Sequence, residues 1–134
     1  MGHGRVLVVD DEADVRKVVR LTLSRAGYDV VEAEDGAQAI ETMKAGDNPL
    51  MIDAVLCDIR MPKVNGVETI DYLRTQFPSV PIVVMTGHPD VGGASELFKR
   101  GVVDYLVKPV GLAMLTTAVH RVAKDHVYKD QFVY

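Results

Sequence analysis

The chain has 134 residues, of which 48% are hydrophobic and 25% charged, with a mean hydropathy of +0.08 and a formal net charge of -4. That balance describes one folded soluble domain with enough apolar mass for a core, and it excludes a disordered chain. The negative charge and a pI near 5.5 exclude a broad electrostatic footprint for nucleic acid or an anionic membrane. No apolar run approaches the roughly eighteen residues of a membrane span, and the single cysteine, Cys57, allows no intramolecular disulfide. With no signal peptide at its start, the chain is expected in the cytoplasm.

Arg5 to Val9 is a short, almost wholly apolar run, the pattern of a strand buried on both faces of a parallel sheet. It ends in Asp10-Asp11-Glu12, after which Val15, Val18, Val19, Thr22, Leu23 and Ala26 recur at helical spacing up to a stop at Gly27. Tyr28 to Ala33 predicts a second strand, and the polar residues around Val30 and Val31 place it at a sheet edge. Glu34-Asp35-Gly36 is a turn. Ala37, Ile40 and Met43 give a second amphipathic helix closing at Gly46, with Asp47-Asn48-Pro49 as the next loop.

The third strand, roughly Asp53 to Cys57, delivers Asp58 to a loop in which Pro62 and Asn65-Gly66 force the backbone to turn. Val67, Ile70, Leu73 and Phe77 form the stripe of a third helix, which Pro78 helps to end. Pro81 opens a fourth strand, Ile82 to Met85, that runs into Thr86-Gly87-His88. Ala94, Leu97, Phe98 and Gly101 space a fourth helix. Gly92-Gly93 in its first turn costs about 1 kcal/mol per glycine relative to alanine, so a frayed or mobile start is expected. Val102 to Val107 is a fifth strand, followed by Lys108-Pro109, and Leu112, Leu115, Ala118, Val119, Val122 and Ala123 define a fifth helix. Residues 1–126 are assigned to one domain and residues 127–134 to a tail or the start of a linker.

Strands alternating with helices predict a doubly wound α/β fold with a five-stranded parallel sheet, because parallel neighbours need right-handed crossover connections. An edge-like second strand suits the order 2-1-3-4-5, whose crevice opens between strands one and three at their carboxyl ends. That order sets Asp10 and Asp11 beside Asp58 and brings Thr86 and Lys108 to the same edge. Carboxylates gathered there repel one another, so one must take a proton or the group must hold a cation. An all-oxygen cluster suits Mg²⁺ better than zinc. Lys108 adds a mobile positive charge and Thr86 a hydroxyl able to reach a phosphoryl oxygen. A carboxylate can itself act as a nucleophile and form an aspartyl phosphate, and Asp58 at the centre of the crevice is the candidate.

In that order, Asp10-Asp11, Asp58, Thr86 and Lys108-Pro109 resemble the receiver domain of bacterial two-component response regulators, which has a flavodoxin-like fold and includes chemotaxis regulators. The resemblance covers about Arg5 to Ala123. It implies that Asp58 receives a phosphoryl group from a histidine kinase or histidine phosphotransfer protein, with the domain assisting its own phosphorylation and dephosphorylation rather than acting as an enzyme. It implies Mg²⁺ held directly by Asp11, Asp58 and the backbone carbonyl of Arg60, with Asp10 acting largely through water. Thr86 and Tyr105 would be the switch pair, Lys108 would contact the phosphoryl group, and the Lys108-Pro109 bond is expected to be cis. The added charge of about -1.5 to -2 would move Thr86 and Tyr105 and so the face made by the fourth helix, fifth strand and fifth helix, the surface offered to a downstream protein or an attached output domain.

Other readings compete. Asp10, Asp11 and Glu12 could serve only to cap the first helix, Thr86 could be a turn residue, and Lys108 a solvated loop lysine. Tyr105 could be a packed strand aromatic, and His88, His120 and His126 show no metal-ligand spacing. A flavodoxin-type cofactor binder would share the fold but want a Ser/Thr/Gly-rich loop where the acidic triplet stands. A Mg²⁺-dependent phosphohydrolase would typically pair its nucleophile with a second Asp two residues on, where this chain has Arg60. A phosphorylation-independent adaptor is a third possibility. The chain could be a complete single-domain regulator or a receiver from a longer regulator or hybrid kinase.

Overall fold

The computed structural model describes residues 4–59, 66–87, 89 and 91–130. In chain order the elements are β1 (Gly4–Val9), α1 (Ala13–Arg25), β2 (Tyr28–Ala33), α2 (Gly36–Lys44), α3 (Asn48–Met51) and β3 (Ile52–Cys57). Then come α4 (Gly66–Gln76), β4 (Ile82–Thr86), α5 (Val91–Lys99), β5 (Asp104–Val107) and α6 (Leu112–Asp130). The five strands form one parallel sheet in the order β2-β1-β3-β4-β5, with β2 at the edge that its polar residues predict.

Because side chains alternate along a strand, each strand feeds two cores. Leu7, Val9, Val55, Cys57, Ile82 and Val84 pack with Met43 of α2, Ile70 and Leu73 of α4 and Leu97 of α5. Val6, Val8, Ala54, Leu56, Val83 and Met85 pack on the other face with Val19 and Leu23 of α1 and Leu115 and Val119 of α6. The continuous apolar runs of β1, β3 and β4 follow directly from this double burial.

Helix ends explain where the sequence pattern and the structure diverge. Gly27 follows α1 with φ +99°, a left-handed conformation that glycine adopts at no steric cost. Asp35 caps α2 by accepting a 2.8 Å bond from the Gln38 amide, while Gln38 Oε1 accepts one of 2.6 Å from the Glu34 amide. The segment Asp47-Asn48-Pro49 is not a plain loop. Pro49 sits in the first turn of α3, where its missing N–H is no loss, and Arg5 Nη1 donates to Asp47 Oδ1 at 2.8 Å and Asn48 Oδ1 at 2.9 Å. Among the described residues the fold therefore carries a sixth, one-turn helix beyond the five that periodicity predicts.

The fifth strand is shorter than its apolar run, starting at Asp104 rather than Val102. Gly101 at φ +99° turns the chain so that the Val102 amide donates to Leu97 O at 3.1 Å, which makes Val102 part of the closure of α5. Val18, expected in the buried stripe of α1, is 52% exposed. The last helix continues past Ala123 to Asp130, into the segment assigned from sequence to a tail.

Candidate functional site

The site is built where β1, β3, β4 and β5 end. Two backbone bonds across the sheet fix its carboxylates: the Asp10 amide donates to Ala33 O at 3.1 Å and the Asp58 amide to Val9 O at 2.9 Å. Asp10 and Asp58 are 0% and 5% exposed. Asp11 and Glu12 are exposed, yet one carboxylate oxygen from each of Asp10, Asp11, Glu12 and Asp58 lies within 4.8 Å of the others.

Glu12 occupies the N-cap position of α1 but makes no capping bond with its side chain. The Asp10 Oδ1 atom instead accepts a 2.9 Å bond from the Glu12 amide, which folds the acidic turn back toward the sheet edge. The acidic triplet is thus gathered at the crevice rather than spent on the helix end.

Lys108 reaches the cluster from the end of β5. Its amide donates to Thr86 O at 2.7 Å, and its Nζ lies 2.7 Å from Asp10 Oδ2, 2.9 Å from Asp58 Oδ2 and 3.8 Å from Glu12 Oε1. The Lys108-Pro109 bond is cis, matching the expectation. Burial holds the Asp10 carboxyl above the ordinary carboxylate range, against the pull of the Lys108 hydrogen bond and the Glu12 amide. For Lys108 burial disfavours the ammonium, but hydrogen bonds to Asp10 and Asp58 outweigh it and hold the pKa above its ordinary value. Burial also pushes the Cys57 thiol far up, with Asp58 and Asp10 adding to the effect.

Thr86 ends β4 fully buried. Register pairs Thr86 with Val107 and Val84 with Tyr105, so Thr86 and Tyr105 lie on one face of neighbouring strands. Tyr105 is half-buried against the core cluster that contains Val84 and Leu97. The Arg60 carbonyl, predicted as a metal ligand, and His88 lie outside the described residues.

The loop after Asp58 closes through Gly66, whose amide donates to Ile59 O at 3.2 Å. A Cβ at Gly66 would stand 2.2 Å from Ile59 Cα, so only glycine allows this approach. Sequence reasoning missed two participants. Glu12 joins the carboxylate cluster, and Arg16 Nη1 donates a 2.6 Å bond to the Asp10 carbonyl. The signal for Arg16 was its place one helical turn after the acidic triplet, but an arginine there also fits a solvated helix face.

Fold and site together define a flavodoxin-like α/β protein whose sheet carries an acidic, lysine-paired carboxyl edge. The chain belongs to the response regulator receiver domain family, whose family model matches residues 6–120. Members of that family are signalling domains of two-component systems. The chain is similar to the transcriptional regulatory protein ZraR of Klebsiella oxytoca, 39% identical over 105 residues that make 78% of this chain and 23% of the relative. The DNA-binding transcriptional regulator NtrC of Escherichia coli K12 is 34% identical over 98% of this chain and 27% of its own length. Among solved structures, the chemotaxis protein CheY4 of Vibrio cholerae matches with a TM-score of 0.81 and 30% identity, covering 89% of this chain and 98% of that one. The chain thus spans about a quarter of the length of these curated regulators but nearly the whole of the chemotaxis protein.

Proposed function

We propose that this receiver domain accepts a phosphoryl group on Asp58 from a histidine kinase or histidine phosphotransfer protein and passes the change to a downstream protein or attached output domain. The observation that carries the reading is the convergence of four carboxylates and one half-buried lysine at the crevice of a 2-1-3-4-5 sheet. An Asp58 oxygen attacks phosphorus, the P–N bond to the donor imidazole breaks, and the released nitrogen takes up a proton. Lys108, already bound to Asp58 Oδ2, meets the incoming phosphoryl oxygens with its ammonium. The Thr86 hydroxyl moves toward them, and the Tyr105 ring turns inward behind it.

The donor set suits a hard divalent cation: its ligands are all oxygens, without His or Cys, and the exposed Asp11 and Glu12 leave a side open to water. Asp11 and Asp58 would hold Mg²⁺ directly with the Arg60 carbonyl, and Asp10 through water. When bound there, Mg²⁺ would supply neutralisation of charge on the phosphoryl oxygens.

The predicted output face consists of α5, β5 and α6, since the one-turn α3 shifts the helix count by one. It carries Phe98, Val107 and Met114, each about half exposed, with half-exposed Val103 just before β5. Residues 1–126 would form the receiver unit. No helix among the described residues is long and apolar enough to cross a membrane, which supports a cytoplasmic site of action. The net charge of -4 supports an output through protein rather than direct nucleic-acid contact.

Intact-mass spectrometry after incubation with acetyl phosphate, with and without Mg²⁺, tests the reading. A single Mg²⁺-dependent phosphate adduct that Asp58→Asn abolishes is the expected result. An adduct surviving that substitution would move the acceptor elsewhere. A protein that neither binds Mg²⁺ nor takes phosphate would favour a phosphorylation-independent adaptor.

A further inference from the structure

The mechanism above uses the side chains that face the crevice and leaves unexplained how an exposed acidic turn keeps its shape. Asp10 is held at four atoms. Its amide is fixed on Ala33 O at 3.1 Å, Oδ1 on the Glu12 amide at 2.9 Å and Oδ2 on Lys108 at 2.7 Å. Its carbonyl accepts the 2.6 Å bond from Arg16 Nη1. Three of these holds come from backbone or from the site itself. The fourth comes from outside it, along a chain of side chains that the reaction does not touch. Arg16 Nε lies 3.4 Å from Glu32 Oε1 on β2, and Arg20 Nε lies 3.1 Å from the other oxygen, Glu32 Oε2.

We infer that Arg16 is a positioning residue for the metal-binding acidic turn, clamped in place by Glu32. The inference rests on the function proposed above and adds a residue and a partner to it. The geometry gives the reason. The carbonyl of Asp10 is the peptide oxygen at the hinge between β1 and the turn, so fixing it sets the plane of the Asp10-Asp11 peptide and hence where the Asp11 side chain leaves the backbone. A planar guanidinium can hold that carbonyl with one nitrogen and Glu32 with another, whereas an ammonium is a single point of attachment. Arg16 is 16% exposed at its side chain, so the bond is shielded from competing water. Glu32 in turn lies between two arginines, which orient it toward α1.

Charge and position predict opposite results, and this makes the inference testable. As a mere cation near four carboxylates, Arg16 would weaken Mg²⁺ binding, so its removal would tighten it. As a clamp, it makes the turn ready for the ion, so its removal loosens binding. Isothermal titration of Mg²⁺ into wild type, Arg16→Met, Arg16→Lys, Glu32→Gln and Arg20→Met, all with folding checked in EDTA, separates the two. Both Arg16 variants are expected to bind Mg²⁺ about 10-fold more weakly, within the range found when groups that orient metal ligands are removed. Glu32→Gln falls between them and wild type, and Arg20→Met, which touches Glu32 but not Asp10, changes affinity less than about 2-fold. Unchanged affinity in Arg16→Lys, or tighter binding in Arg16→Met, overturns the clamp. A wild-type protein that binds no Mg²⁺ overturns the proposed function itself, a distinct outcome.

Discussion

Replacing Lys108 with alanine removes the cation that sits between Asp10 and Asp58. At its 2.7 Å and 2.9 Å contacts, an effective dielectric of about 20 gives roughly 6 kcal/mol of gross attraction to each carboxylate. Desolvation of the ammonium offsets most of it. Removing one partner of a buried pair typically costs about 3 to 5 kcal/mol. Lys108 keeps 15% of its side chain in solvent, which lowers the expected loss to about 2 to 3 kcal/mol. With a urea slope near 2 kcal/mol/M, the unfolding midpoint in EDTA at pH 7 should fall by about 1 M. The sign with pH follows from the raised lysine value. The pairing contributes fully below 10.5 and is lost only as pH rises through the higher folded value. On the acid side the difference between wild type and variant should narrow as Asp10, whose carboxyl titrates above its ordinary range, takes a proton. Mg²⁺ should restore most of the loss, since a saturating ion at 100 times its Kd adds about 2.7 kcal/mol and no longer competes with the ammonium. A variant with an unchanged midpoint in EDTA would refute this reasoning, because it would mean that the carboxylates are already neutralised without Lys108.

Gly66→Ala should destabilise by about 1 to 3 kcal/mol despite alanine's better helix propensity, since the new Cβ meets Ile59 backbone at 2.2 Å; chemical denaturation measures it, and a stabilised variant would contradict the close approach. Cys57, fully buried with its thiol pushed far above the usual range, should resist iodoacetamide at pH 8 in the native protein and react once unfolded, as mass spectrometry would read. Leu7→Ala should cost about 2 to 5 kcal/mol because the side chain is 0% exposed. Leu50→Ser should stay within about 0.5 kcal/mol of wild type because that leucine is 83% exposed on α3, and thermal melts of the two variants side by side check both magnitudes.

The sheet order and the gathering at its carboxyl edge were legible because they depend on strong, local signals. Apolar runs end abruptly at Asp10 and Asp58, and a polar second strand belongs at a sheet edge. What the sequence concealed depended on partners far along the chain. Arg16 reads as a surface helix charge until the Asp10 carbonyl is placed beside it, and Glu12 as a capping residue until its side chain is seen to make no cap. The turn of α3 needed Arg5, more than forty residues away, to hold Asp47 and Asn48. Val102 has a strand's composition but its amide is claimed by Leu97 across Gly101. Val18 kept helical spacing yet lies half in solvent, because α1 meets the sheet along a stripe narrower than its apolar residues.

The alternation that divides this sheet into two cores also makes it directional. Val84, Thr86, Tyr105 and Val107 share one face, and that face belongs to the core under α2, α4 and α5. The core under α1 and α6 is supplied by the intervening residues, Val83, Met85 and Leu106. A rearrangement of Thr86 and Tyr105, as proposed above, would therefore enter one compartment and find the other filled by different side chains. The proposed signal would start in the core under α2, α4 and α5 and reach α6, which packs on the other core, only across the edge strand β5.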